Sequence, residues 1–313
     1  MPISVFDNNP AAALSFLQQQ GAYIEPNVYR IEYPQYQYTS MLPLDGSAPD
    51  WSKSVLFQSI DVRGEMQLLS DLGDDIPTVD IAKKQGYHNI QTAALGYTFT
   101  LQELEYAKLT NTNLDTERAI AVRDVVEQGL NKIYLLGNKE VGDSGGLLKS
   151  TLVSSESAAS TLATLIANIS TNGVQPIIDF FANAYNRVFI TNTSTVHKPT
   201  DIGLPVNQFQ LMQRTLLNAG NASNITLLEF LRKNFPDINW FGDLNLTGAG
   251  TGGTDRMAVY KKDMRVVKGH DTMPLRFLAP ATANNVKFVV PGIVRTGGTE
   301  WRIPSAAHYV DSI

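Results

Sequence analysis

The stretch NLDTERAIAVRDVVEQGLNKIYLLGNKEVGDSGGLL, residues 113–148, decides how the rest of the chain is read. Ile120, Val122, Val125, Val126, Leu130, Ile133 and Leu136 recur at the i, i+3, i+4 spacing of one helix face. Asn113 or Asp115 can cap the start, Glu117 suits the positive end of the first turn, and Gly137 supplies a stop. The spacing predicts a helix over 113–137, about 23 residues and roughly 35 Å at 1.5 Å per residue. That is about twice the usual length for a globular helix.

The same stretch ends in a string that has to be judged by what precedes it. Gly142 to Gly146 spell G-D-S-G-G, the setting of the nucleophile in trypsin-like serine proteases. Those enzymes run His, Asp, Ser along a β-barrel; here a long helix leads in, and the one upstream histidine is His88, within GYHNIQ. A nucleophile elbow needs a strand entering and a helix leaving, and the order here is the reverse of that entry. Ser144 therefore reads as part of a glycine loop after a capped helix. Ser144→Ala is expected to stay within about 0.5 kcal/mol of wild type, and labelling of Ser144 by a fluorophosphonate would contradict this. A second loop, GAGTGG over 248–253, spells G-x-G-x-x-G, but the dinucleotide fingerprint must open a helix. TDRMAVYKKD, which follows, reads as a strand, so the loop reads as a connection.

Composition narrows the classes further. The 313 residues are 43% hydrophobic and 18% charged with net charge −5, which gives a globular chain without the basic face expected of a sequence-specific nucleic-acid binder. No cysteine is present, which removes disulfides, zinc–thiolate sites and cysteine nucleophiles together. No apolar run approaches a membrane span, and MPISVFDNNPAAALSF lacks the basic start of a secretory signal. The sequons at Asn168, Asn192, Asn221, Asn224 and Asn245 then read as chance matches. His88, His197, His270 and His308 show no metal-ligand spacing. Asp71, Asp74, Asp75 and Asp80 lack the alternation of a calcium loop and are interrupted by Pro77, so they read as a solvated hairpin tip. No catalytic, cofactor or metal site is expected.

Around the helix, the shapes are distinctive. Residues 1–50 hold a short helical pattern, NPAAALSFLQQQ, and then a proline- and tyrosine-rich run that excludes a long helix or central strand. This is read as an extended arm. Residues 51–96 read as a long hairpin, WSKSVLFQSIDVRGEMQLL returning as YHNIQTAALGYTFT, with arms spanning about 40 Å. A bare two-stranded ribbon of that length is marginal in water and needs a cover. Thr100–Glu103 is a T-x-x-E capping box opening LQELEYAKL. Beyond residue 150, AASTLATLIANI, QPIIDFFANAY, VNQFQLMQRTLLN and ITLLEFLRKNF read as helices, and RVFIT, INWFG, DRMAVYKKD and RFLAP as extended. The tail NVKFVVPGIVRTGGTEWRIP reads as a hairpin turning at Gly297 and Gly298.

This order of arm, long hairpin, long helix, mixed α/β region and closing strands resembles the tailed-bacteriophage major capsid proteins of the Hong Kong 97 type. QGAYIEPNVYRIEYP, APDWSKSVLFQSIDVRGEMQLLSDLGDDIPTVD, GYTFTLQELEYAK, LLGNKEVGDSGGLL, TLLEFLRKNFPDI, GTDRMAVYKKD and WRIPSAAHYVD are similar to one branch of them, over nearly the whole chain. The resemblance implies an α+β, HK97-like fold: N-terminal arm 1–50, extension loop 51–96, peripheral domain 97–150 with spine helix 113–137, axial domain 151–285, and C-terminal strands 286–313 returning to the peripheral domain. It implies a structural protein, not an enzyme, that self-assembles as hexamers and pentamers into an icosahedral shell around double-stranded DNA. An encapsulin-type bacterial nanocompartment shell is the alternative. Tyr29, Tyr33, Tyr36, Tyr38, Trp51, Asp74 and Asp75 become the expected intersubunit contacts. Implied partners are copies of itself, a separate scaffolding protein (the chain lacks the type member's long scaffolding segment), a portal, a decoration protein, and packaged DNA held non-specifically, with no membrane. The implied location is the virion capsid, assembled in the host cytoplasm.

Overall fold

In the computed structural model, residues 36–63, 78–103, 114–139, 145–217, 225–284 and 287–313 are described, all within one unit, Tyr36–Ile313. The expected long helix runs Leu114–Leu136. Val122, Val126, Leu130 and Tyr134, each four residues from the last, turn one stripe into the core. Tyr134 is fully buried, yet its hydroxyl is satisfied: it donates to His270 O at 3.0 Å and accepts from Thr296 Oγ1 at 2.8 Å. Both partners lie on the sheet beneath the helix.

That sheet has the order β1-β10-β13-β4, from Leu44–Asp45, Val267–Phe277, Gly292–Trp301 and Gln91–Ala94. A second sheet runs β6-β14-β9-β7-β8, from Ser154–Ser157, Ala307–Asp311, Arg256–Tyr260, Asp201–Pro205 and Asn239–Asp243. A small sheet pairs β11 (Ala281–Asn284), β12 (Lys287–Val290) and β5 (Tyr97–Thr100). The hairpin stands as a separate ribbon of β2, Ser54–Arg63, and β3, Asp80–Asn89. One core joins the long helix, the first sheet and one side of the second, around Leu42, Tyr134, Tyr260 and Trp301. The other fills the second sheet and its helices, where the Phe181 ring meets Trp240 edge-on at 5.0 Å.

From Gly145 on, the chain after the long helix packs against the helix end. Leu147 N and Leu148 N donate to Tyr134 O and Leu135 O, each at 2.9 Å, so the loop satisfies carbonyls the helix leaves unpaired. Gly137 and Gly146 both have left-handed backbones, and a Cβ on Gly146 would lie 2.5 Å from Gly137 N. Trp301 Nε1 donates to Gly146 O from the other side at 3.0 Å. Glycine at 146 is thus required by close packing; Ser144 lies outside the described residues. We expect Gly146→Ala to lower stability by more than about 2 kcal/mol, strain plus overlap. Gly252→Ala, also left-handed but with open space around its Cβ, should cost only about 1 kcal/mol. Equal melting shifts for the two variants would contradict this account.

Several sequence expectations hold, including the helices over Gln175–Asn186, Val206–Arg214 and Leu227–Asn234. The capping box closes both ways: Thr100 N donates to Glu103 Oε2 at 3.0 Å, and Glu103 N to Thr100 Oγ1 at 3.3 Å. Three expectations do not hold. The returning arm of the ribbon starts at Asp80, inside the stretch that reads as a polar turn, and YHNIQTAALGYTFT is divided among β3, β4 and β5 in three separate sheets. RVFIT is not extended but lies within a π-helical continuation, Arg187–Asn192, of the preceding helix. Burial of Val188 keeps that segment on the helix's inner face despite its β-branched residues. Nor do Gly297 and Gly298 make a turn. β13 runs through them, and its pairing with β10 slips between Thr296↔Asp271 and Gly298↔His270, which leaves Gly297 as a bulge. A Cβ there would lie 2.8 Å from His270 Cβ.

The spatial grouping also cuts across the expected segments. β10 falls within 151–285 but pairs in the sheet under the long helix, while β14, within 286–313, sits between β6 and β9 in the second sheet. The end of the expected arm is core. Tyr38 is buried, stacks on Tyr134 at 5.0 Å between centroids, and donates to Glu127 Oε2 at 2.8 Å.

Candidate assembly surface

The ribbon pairs without a slip from Ser54↔Asn89 to Arg63↔Asp80. Alternation therefore sends Leu56, Ile60, Ile81 and Tyr87 to one face, with Leu56 directly opposite Tyr87. All four are exposed, Tyr87 at 75% and Ile60 at 62%. The opposite face behaves differently at the root. The Phe57 ring covers Gly86, whose Cβ would lie 2.4 Å from Phe57 Cζ, and Arg302 lies over that ring at 5.5 Å. His88 Nε2 donates to Gly297 O at 2.5 Å, fixing β3 to the bulge in β13. The ribbon is thus anchored by one face and bare on the other.

Electrostatics reinforce the anchor. The His88 and His270 rings stack at 5.2 Å, and His270 Nε2 lies 2.7 Å from Glu300 Oε2, with both residues of that pair buried. Burial pushes the Glu300 carboxyl up, but the His270 hydrogen bond and the charges of His270, Arg302 and His88 outweigh it and hold it below the usual range. His88 and His270 are far apart in the sequence, without metal-ligand spacing, and the fold brings their rings together.

A second bare apolar surface lies beside the long helix. Val125, Gly129 and Ile133 on the helix and Ala93, Ala94 and Leu95 on the chain across from it line an open groove of about 150 Å³. Val125 is half exposed, and among the described residues nothing but the helix's own backbone lies within 4 Å of where a Gly129 Cβ would be.

Of the residues expected to contact other subunits, Trp51 is 68% exposed, with Arg295 over its ring at 5.4 Å. Tyr36 donates to Asp124 O at 3.0 Å and Tyr38 is buried, so both are engaged with the long helix of their own chain. Tyr29, Tyr33, Asp71, Asp74 and Asp75 lie outside the described residues. Asp80 is exposed at the start of β3. The GAGTGG loop leads into strand β9, so it lacks the helix a dinucleotide site needs. Among the described residues, no cluster of three or more His, Asp or Glu side chains is arranged to hold a metal, and no helix is long and apolar enough to cross a membrane.

An α+β subunit with a projecting ribbon, a long helix over one sheet and a second sheet with its own core has the architecture of phage capsid subunits. The capsid of Myoviridae Phage XM1 matches with a TM-score of 0.78 at 16% identity, over 94% of this chain and 98% of that one. The capsid of an empty GTA particle matches at 0.60 and 10% identity, over 93% and 94%. The virus-like particle from Pyrococcus furiosus matches at 0.52 and 14% identity, over 87% and 91%. A search of curated proteins finds no significant match. The family model described as major capsid protein matches residues 64–313. The chain belongs to the major capsid protein family, a structural rather than an enzymatic one, and has the HK97-like fold.

Proposed function

We propose that the subunit assembles with copies of itself as hexamers and pentamers of an icosahedral shell around double-stranded DNA, through the bare face of the ribbon. The observation that carries this is the line of exposed Leu56, Ile60, Ile81 and Tyr87 on a ribbon anchored only by its other face. Large side chains in such a row favour burial, at about 1.5–3 kcal/mol each, and an isolated ribbon is marginal without a cover. The groove beside the long helix is the second half of the contact. It belongs to the same chain but lies elsewhere on it, so ribbon to groove is a head-to-tail contact, the kind that gives five- and six-membered rings when the rotation between copies closes. Trp51 joins this surface, and Tyr29, Tyr33, Asp74 and Asp75 remain assigned to it by the sequence reading.

Assembly in the host cytoplasm with a separate scaffolding protein, a portal, a decoration protein and non-specific contact to packaged DNA completes the proposal. Electron microscopy of the purified protein, with assay of particle contents, tests it. Closed shells holding nucleic acid support it. Shells holding a cargo enzyme would favour the nanocompartment alternative, and discrete soluble monomers at all concentrations would overturn both.

A further inference from the structure

We propose that Ser154, Glu156 and His308 form a proton-operated clasp on the edge strand β6, closed while the His308 imidazole is neutral and opened as it takes up a proton. The proposal does not depend on the ribbon contact.

The geometry is specific. His308 on β14 is 1% exposed and pairs in register with Ser154 on β6, while Glu156 lies two residues further along that strand. Ser154 Oγ is 2.9 Å from His308 Nδ1 and accepts from Asn192 Nδ2 at 3.3 Å. With Asn192 donating to Oγ, we assign the hydroxyl proton to Nδ1 and the ring proton to Nε2, the arrangement that turns N–H rather than a lone pair toward the Glu156 carboxylate. Nε2 lies 3.3 Å from Glu156 Oε1 without an aligned hydrogen bond. Arg187, on the π-helical segment, is 3.9 Å from the other Glu156 oxygen. On the far side of β14, β9 offers Val259 in register with His308. The helix Gln175–Asn186 turns Ile177, Phe181 and Ala184 inward and keeps its carboxylate, Asp179, on Gln175 at its exposed side.

A second proton on the ring goes on Nδ1 and displaces the proton that the Ser154 hydroxyl donates there, so the Ser154 side-chain bond must reverse or be lost, although the Ser154 backbone favours the charged ring. Burial is the largest cause holding His308 below its ordinary value; the Arg187 charge adds to it, and Glu156 and the Ser154 backbone oppose without prevailing. The sign follows. A histidine held low in the closed state contributes stability that is present above its free value of about 6.5 and is lost as the pH falls from there toward the lower closed-state value. All four residues of β6 are exposed, so its tie to β14 is what holds it. β6 is also the first strand of the second sheet after the loop that folds back on the long helix. Opening it loosens the passage between the two cores.

The test is hydrogen exchange of the full-length protein at pH 7.5 and pH 5, with protection of 154–157 taken relative to that of β7 and corrected for intrinsic exchange. The expected result is a fall of at least threefold for wild type, a larger fall for Glu156→Gln because the opposing carboxylate is gone, and none beyond β7's for His308→Gln. Should His308→Gln not fold, the wild-type and Glu156→Gln comparison still decides. Relative protection of β6 that does not change with pH, or a smaller fall in Glu156→Gln, would overturn the clasp.

Discussion

Asp311→Ala is expected to destabilise the subunit by about 3–5 kcal/mol, the range for leaving one member of a buried ion pair without its partner. Asp311 and Arg256 are 2% and 7% exposed. The pair is bidentate: Arg256 Nε donates to Oδ1 at 2.6 Å and Nη2 to Oδ2 at 3.0 Å. Thr251 adds its backbone N–H and its hydroxyl to Oδ2 at 2.9 and 3.0 Å. The third guanidinium nitrogen donates to Leu148 O at 3.0 Å, and the group lies 4.5 Å above the Tyr309 ring. One ion pair thus joins the loop after the long helix, the GAGTGG loop and the last strand. Burial pushes the Asp311 carboxyl up, but the Arg256 hydrogen bonds, those of Thr251 and the guanidinium charge outweigh it and hold it below the usual range. Its contribution is present above the free carboxylate value and is lost as the pH falls through the lowered one. Urea denaturation of Asp311→Ala and of Arg256→Met with Asp311→Leu checks the mechanism. The double variant should recover part of the loss, because it leaves no buried charge. A cost under about 1 kcal/mol for Asp311→Ala would contradict the assignment.

Ile60→Asp combined with Tyr87→Thr should abolish shells while leaving the subunit folded. Both residues lie on the bare face, and Ile60 is opposite Lys83, so the new carboxylate faces a cation across the ribbon and the strand pairing is kept. At about 1.5–3 kcal/mol for each large apolar side chain buried, the pair removes roughly 3–6 kcal/mol per contact, or about two to four decades in affinity. The loss recurs at every copy of the contact in a shell. Phe57→Asp is the contrasting variant, since Phe57 packs over Gly86 on the anchored face and should loosen the ribbon root instead. Sedimentation shows whether particles form, and circular dichroism whether the subunit is folded. Normal particles from Ile60→Asp with Tyr87→Thr would remove the bare face from the account.

Elements built from local periodicity were legible in the sequence. The long helix, the capping box, the first strand of the ribbon and the helices with strong apolar faces each carry their signal within a dozen or so residues. What could not be read depends on distant partners. The Gly297 bulge exists because β13 passes close to His270, and two adjacent glycines look the same in a turn. RVFIT has the composition of a strand, and only burial of Val188 beside the preceding helix makes it helical. Tyr38 looked like its neighbours in a tyrosine-rich arm until Tyr134 was found beneath it. For the assembly surface, partial alternation in the first arm marks two faces; the second strand lies in a stretch whose charges and glycine read as a turn, and which face is bare follows from the anchoring of Phe57 and His88, which needs the fold.

The most direct test of the central claim is an electron-microscopic reconstruction of the assembled particle at side-chain detail. The account predicts that Leu56, Ile60, Ile81 and Tyr87 of each ribbon are covered by a neighbouring subunit, against the groove formed by Val125, Gly129 and Leu95. A particle in which that face remains open to solvent, or lies only on its own subunit, would contradict it.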